Sequence, residues 1–75
     1  MNTDTTEMVY RFIVEYIETK GISPSQREIA EGCYVARSAV IRHLDRLEAW
    51  GRIIRDPNKA RSLHLPKKSL ENEHQ

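Results

Sequence analysis

Apolar residues near the start of the chain recur at helical spacing. The members of this stripe lie three or four positions apart, and they are Val9, Phe12, Ile13, Tyr16 and Ile17. Such spacing predicts an amphipathic helix with one buried face. We expect it to run from about residue 4 to residue 20, with Thr3 as its N-cap and Gly21 in a left-handed conformation at its C-terminus.

A second, short helix is predicted to start after Pro24. Ser25 and Glu28 have the spacing of a capping box, in which the serine oxygen accepts from the third helical amide and the glutamate accepts from the serine amide. Gly32 weakens this helix, and no periodic pattern continues through residues 33–35. We therefore expect the second helix to end near Gly32.

Val40, Leu44 and Leu47 form the stripe of a third helix, which we expect from Arg37 to Trp50, with Gly51 at its C-terminal cap.

Beyond the third helix the pattern changes to alternation. Residues 52–55 and 61–65 read as two strands, and residues 56–60 between them carry a proline and an asparagine suited to a turn. This pattern predicts a β-hairpin ended by Pro66. We expect residues 67–75 to form a polar, disordered tail.

The order of three helices and a hairpin predicts a mainly α fold with a small β-hairpin, a winged helix-turn-helix of residues 1–66. Ala30 is expected where the second and third helices cross, Val35 in the turn between them, and Val40 with Leu44 on the buried face. Other three-helix bundles share such apolar spacing. Tyr34 stands where helix-turn-helix turns generally have glycine, so a positive φ there would cost about 1 kcal/mol or more.

Charge is distributed unevenly along the 75 residues. The net charge is only +1, with 31% charged and 39% hydrophobic residues. The stretch 27–68, however, holds ten basic and five acidic residues, whereas the flanking segments are acidic. This asymmetry fits a surface that faces a polyanion, although a solvated charged face is the commoner explanation.

Several protein classes are excluded by what the sequence lacks. No apolar run approaches the roughly 20 residues of a membrane span or the about 7 to 15 of a signal peptide, so we expect a cytoplasmic protein without membrane contact. The single cysteine, Cys33, cannot form an internal disulfide. With His43 and His64 it makes too small and scattered a set for a metal or catalytic site. We expect no enzyme, no cofactor and no small-molecule ligand.

Three segments resemble the N-terminal DNA-binding domain of LexA-type repressors: residues 23–31 (SPSQREIAE), 42–48 (RHLDRLE) and 51–61 (GRIIRDPNKAR). The resemblance spans roughly residues 3–65. It implies a winged helix-turn-helix that binds operator DNA as a bacterial or phage transcriptional repressor. It does not extend to the serine-lysine self-cleaving domain of these repressors, so neither autoproteolysis nor that domain's dimer interface is expected.

The outward residues of the third helix are candidates for reading bases in the major groove. The base-reading candidates are Ser38, Ala39, Ile41 and Arg42, followed a turn later by Asp45. Arg42 suits bidentate pairing with guanine, whereas Ala39 and Ile41 suit the thymine methyl group. For Ile41, a partner contact or partial burial against the turn is an equal alternative.

Another set of residues is cast as contacts to the DNA backbone, which fix register without reading sequence. The set comprises Ser25, Gln26, Arg27, Arg37 and Arg46 on the helices, and Asn58, Lys59 and Arg61 on the wing. Arg27 has an alternative partner in Glu31, four residues on. The wing has the alternative of a solvent-exposed turn.

The expected partner is double-stranded DNA. One module of this size buries only ~600 to 1,000 Å² on DNA, so we expect a homodimer on a palindromic operator. The alternative function is a winged-helix protein-interaction module that docks a partner through Ile41, Trp50 and Tyr34. For Trp50, core or half-buried packing is the simpler expectation.

Overall fold

A computed structural model describes the backbone of residues 2–56 and 63–66, and the side chains from Thr5 onwards within them. The elements are α1 (Asn2–Lys20), α2 (Gln26–Cys33), α3 (Arg37–Ala49), β1 (Ile54–Arg55) and β2 (Leu63–His64). This order confirms the predicted winged helix-turn-helix. Among these residues, none of the helices has the length and apolar character that spanning a membrane requires.

Helix α1 starts earlier than its sequence predicted. It begins at Asn2, so Thr3 lies inside the helix and the prediction of Thr3 as N-cap is wrong. The first N–H groups of a helix have no intrahelical acceptor, so hydroxyl and acidic side chains can accept from them either at the N-cap or within the first turn. The residue type of Thr3 therefore did not distinguish these two positions. The predicted C-terminus is confirmed: Gly21 has a φ of +78°, and its N–H donates to the carbonyl of Ile17 at 2.8 Å.

Helix α2 begins with the predicted capping box. The N–H of Glu28 donates to Ser25 Oγ at 3.1 Å, and the N–H of Ser25 donates to Glu28 Oε1 at 2.8 Å. The helix is short, as predicted: it runs through Gly32 and ends at Cys33. A Cβ on residue 32 would lie 2.3 Å from Phe12 Cε1, so this glycine allows α2 to approach the Phe12 ring of α1 closely.

The turn between α2 and α3 depends on Tyr34. Its φ of 59° and ψ of 44° are left-handed, so Tyr34 adopts the conformation that glycine generally supplies in such turns. This conformation costs a non-glycine residue about 1 to 2 kcal/mol. It lets the N–H of Val35 donate to the carbonyl of Ala30 at 3.1 Å, so the chain turns at once towards α3.

The core lies where the three helices meet the base of the hairpin. Helix α1 packs against both α2 and α3, which also pack against each other. The buried apolar residues are Val9, Ile13, Ile29, Ala30, Cys33, Val40, Leu44, Leu47, Ile53 and Leu63. The burial predicted for Ala30, Val40 and Leu44 is confirmed, and Val35 is half-buried against this cluster.

Helix α3 ends in a Schellman motif around Gly51, which has a φ of +78°. The N–H of Arg52 donates to the carbonyl of Leu47 at 2.9 Å, and the N–H of Gly51 to that of Glu48 at 3.0 Å. These bonds satisfy carbonyls that a helix end leaves free and send the chain into the hairpin. Trp50 keeps 49% of its surface exposed and is not a core residue.

The hairpin predicted from the alternating pattern is confirmed at its base. Strands β1 and β2 are antiparallel, with Ile54 opposite His64 and Arg55 opposite Leu63. Ile53 and Leu63 are buried, whereas Ile54 is half exposed. The hairpin turn and the expected disordered tail lie outside the described residues.

Candidate nucleic-acid interface

Arg42 points directly away from the core. Each residue turns an α-helix by about 100°. Arg42 is two residues from both Val40 and Leu44, which are buried, so it lies on the opposite side of α3 and is exposed. Ser38, one turn earlier, is exposed on the same side. Two of the predicted base-reading residues are thus brought together on one accessible surface.

The other two base-reading candidates lie at the edges of this surface. Ile41 keeps 43% of its surface exposed, whereas Ala39 is half-buried on the other flank. We call Ser38, Ile41 and Arg42 the outward face of α3. An apolar side chain beside an arginine and a serine gives this face both hydrogen-bonding and methyl-binding character.

Three of the basic residues in the positive stretch are engaged with acidic neighbours: Arg27, Arg52 and Arg55. Arg52 Nη1 lies 3.3 Å from Glu7 Oε2, and its guanidinium lies 4.7 Å from the ring centre of Tyr10. Arg27 Nε is 4.0 Å from Glu31 Oε2, but both side chains are largely exposed, so this pair contributes little to stability. The alternative pairing expected for Arg27 is therefore present in a weak form.

Among the described residues of the positive stretch, the basic side chains that make no ion pair all lie on α3. Within residues 2–56 and 63–66, neither Arg37 nor Arg42 makes an ion pair or a side-chain hydrogen bond. Both side chains are exposed. Their full positive charge is available to an anionic ligand.

Arg55 joins β1 to α3, a contact that the sequence did not reveal. Its Nε donates to Glu48 Oε1 at 3.1 Å, its Nη2 lies 2.9 Å from the same oxygen, and Nη2 also contacts Asp45 Oδ1. Burial lowers the pKa of Arg55, but the hydrogen bonds with Asp45 and Glu48 outweigh it and the pKa is raised. Asp45, grouped with the outward residues, is thus held by the wing. The sequence signal for this contact was the presence of two carboxylates, Asp45 and Glu48, three residues apart on α3.

A second polar contact anchors α3 on α1. Thr6 is fully buried, and its Oγ1 lies 2.8 Å from His43 Nδ1. Arg46 Nη1 donates to the same Oγ1 at 3.4 Å. Arginine can only donate, whereas the direction of the bond between Thr6 and His43 depends on the imidazole tautomer. Arg46, predicted to bind DNA backbone, thus also contacts α1.

We expect the domain to lose stability below neutral pH through His43. Burial, then the charges of Arg46 and Arg42, lowers the pKa of His43. The unfolded chain, with a histidine pKa of about 6.5, then binds the proton more readily than the folded one. The stability contribution is present above about pH 6.5 and is lost as pH falls through the lowered pKa.

The measurement is urea unfolding at pH 7.5 and pH 5.5. His43→Gln keeps an acceptor for Thr6 but cannot titrate, so its free energy of unfolding should change less between the two pH values. An equal change in both proteins would contradict the role of His43.

At the start of α2, two backbone amides are available to an anionic ligand, whereas the side chain of Ser25 is already used as the helix cap. Ser25 uses both its N–H and its Oγ in the capping box. The first backbone donor within the helix is Ile29, which donates to the carbonyl of Ser25, so the amides of Gln26 and Arg27 have no intrahelical acceptor. Such amides at a helix N-terminus favour an anion.

The wing candidates Asn58, Lys59 and Arg61 lie outside the described residues. The structure places only the base of the hairpin, which Arg55 holds beside α3.

The apolar residues of the alternative docking patch do not form one surface. Ile41 and Trp50 are nine residues apart, about two and a half helical turns, so they lie on opposite sides of α3. Tyr34 is 92% exposed in the turn before the helix. The separation of Ile41 from Trp50 removes the main argument for protein docking.

Comparisons with known proteins place the chain in a family. The model of the LexA DNA binding domain matches residues 3–62. The LexA repressor of Clostridium perfringens is 38% identical over 71 residues, which cover 93% of this chain and 35% of that protein. The LexA repressor of Staphylococcus carnosus is 42% identical over 64 residues, or 84% of this chain and 31% of that protein. This chain thus spans about a third of the length of these relatives, and it belongs to the LexA DNA-binding domain family.

Proposed function

We propose that this domain binds double-stranded DNA in a sequence-specific manner and represses transcription. The observation that carries the proposal is the outward face of α3, where Arg42 is exposed and without an internal partner among the described residues. The family model concerns DNA binding, and the relatives are named repressors. The match is to a DNA-binding domain, which supports a regulator without enzymatic activity.

In this proposal α3 lies in the major groove, which is about 12 Å wide and admits one helix. Arg42 pairs with O6 and N7 of a guanine, and Ser38 hydrogen-bonds a neighbouring base edge. Ile41 and Ala39 contact thymine methyl groups. Since each base pair displays a distinct pattern in this groove, these four residues determine which sequence is bound.

Contacts to phosphates hold α3 in register. The amides of Gln26 and Arg27 receive one phosphate at the N-terminus of α2, with Ser25 shaping that terminus as its cap. Arg37 and Arg46 approach phosphates on either side of the groove. On the wing, Asn58, Lys59 and Arg61 contact the adjacent backbone or minor groove.

A second copy of the chain completes the binding unit in this proposal. One module buries too little surface on DNA for strong discrimination, whereas a homodimer on a palindromic operator doubles the contacts. The two half-sites would lie about one helical turn of DNA, or a multiple of it, apart.

The proposal is tested by selecting bound fragments from random duplex DNA and measuring their affinity across a salt series. A recurring inverted repeat is expected, and contacts with about six phosphates predict a log-log salt slope near −5. Recovery of no common sequence, or an affinity indifferent to salt, would contradict it. Protein docking through apolar residues would give that second result.

Lys59→Ala is expected to weaken binding to every duplex alike, because a phosphate contact carries no sequence information. The salt slope should become shallower by about 1. The measurement compares the selected duplex with a scrambled one over the same salt series. An unchanged slope would remove Lys59 from the interface.

A further inference from the structure

The side chain of Arg55 joins α3 to the base of the hairpin. Arg55 lies on β1, where it pairs with Leu63 across the hairpin, and its side chain is 25% exposed. Its guanidinium contacts the carboxylates of Asp45 and Glu48, which lie three residues apart on α3. A planar fork that engages two carboxylates restricts the relative position of both elements more than a single ion pair does.

Asp45 would otherwise have a different partner. It stands three residues after Arg42 on α3, and oppositely charged residues at this spacing ordinarily attract each other. In the structure, Asp45 contacts Arg55 instead, while Arg42 makes no ion pair within the described residues. The contact with Arg55 therefore leaves Arg42 accessible.

The negative charges of the two carboxylates also oppose the binding of a polyanion. Asp45 and Glu48 keep 59% and 44% of their side-chain surface exposed. They lie three and six residues beyond Arg42 on the same helix, or about one and two turns. A juxtaposed like charge opposes association, so a cation that neutralises both carboxylates removes a repulsion from the DNA side of the domain.

We propose that Arg55 is a positioning residue: through Asp45 and Glu48 it holds the wing against α3 and keeps Arg42 unpaired for its base contact. The inference rests on the proposed DNA binding and adds a determinant of specificity that does not itself read a base.

The first test is a mutant cycle. Arg55→Met keeps an unbranched, flexible side chain and removes the charge, and it is made in the natural chain and in a chain carrying Asp45→Asn and Glu48→Gln. Affinity for the selected duplex should fall about tenfold in the natural background and less than about threefold in the other, because interacting residues show non-additive effects. An equal loss in both backgrounds would mean that Arg55 contacts phosphate directly, and would overturn the proposal.

The second test reads specificity. Arg55→Met should reduce discrimination at the base position that Arg42→Ala also affects, and the double variant should discriminate there about as poorly as Arg42→Ala alone. A loss of affinity by the same factor for selected and scrambled duplexes would mean that only the phosphate contacts of the wing depend on Arg55, which would overturn its role in keeping Arg42 unpaired. Arg55→Lys, which keeps the charge but not the fork, should restore part of the affinity.

A third measurement uses the free protein. Arg55→Met should speed hydrogen exchange of the β1 and β2 amides while leaving the core amides of α1 protected. Unchanged exchange in the hairpin would show that Arg55 does not hold the wing. If the natural chain binds no duplex, the proposed function fails, and with it the role given to Arg42. The exchange data still decide whether Arg55 holds the hairpin.

Discussion

Arg42→Ala is expected to remove the preference of the domain for one base pair of its site. The side chain lies opposite Val40 and Leu44 on α3, so its truncation leaves the core unchanged. A bidentate arginine–guanine contact contributes about 1 to 3 kcal/mol of discrimination, or roughly 5- to 150-fold in relative affinity. Affinity for a scrambled duplex should fall much less, since only one mobile charge is lost there.

The measurement is a competition between the selected duplex and variants with each base pair replaced in turn. Arg37→Ala is the matched control, because Arg37 is likewise exposed and makes no ion pair among the described residues but is assigned to the DNA backbone. It should weaken all duplexes alike. If Arg42→Ala lowers affinity for selected and scrambled DNA by the same factor, Arg42 does not read a base.

Gly32→Ala is expected to destabilise the fold, although the same change stabilises most helices. Alanine in a helix interior is usually favoured over glycine by roughly 0.5 to 1 kcal/mol. Here the new methyl would lie 2.3 Å from Phe12 Cε1 and 2.6 Å from its Cζ, so α1 and α2 must separate or the ring must move. Overpacking of this kind typically costs about 1 to 3 kcal/mol.

Urea unfolding at neutral pH gives the free energy change. Phe12→Leu in the same chain supplies the control, because leucine lacks the ring atoms that the methyl would meet. Gly32→Ala should cost less in the Phe12→Leu background than in the natural one. Increased stability of Gly32→Ala alone would show that the ring moves aside freely and that the close approach has no structural importance.

Local rules predicted most of the fold. The capping box of Ser25 and Glu28, the left-handed Gly21 and Gly51, and the stripe through Val40 each follow from interactions within a few residues of sequence. Such interactions need no knowledge of the rest of the molecule. The accessible position of Arg42 followed from the same periodicity. Because Val40, Leu44 and Leu47 mark the buried side of α3, Arg42 must lie on the exposed side.

Contacts between distant segments were not predictable in this way. Gly32 was interpreted only as a residue that weakens α2, because Phe12, twenty residues earlier, was not known to lie against it. The contact of Asp45 with Arg55 was not predicted, because Arg55 belongs to a strand whose position beside α3 does not follow from local sequence. Side chains that join separate elements leave only a pattern of complementary charges in the sequence, and many pairings satisfy such a pattern.

Because Cys33 is buried, the rate at which its thiol is modified reports how often the domain opens. This residue is the only thiol of the chain, it is 5% exposed, and burial raises its pKa. A thiol-modifying reagent reacts with the thiolate and must reach the sulfur, so modification occurs only when α2 separates from α1 and α3. The reaction rate, compared with that of the unfolded chain, thus gives the free energy of that separation without any added label.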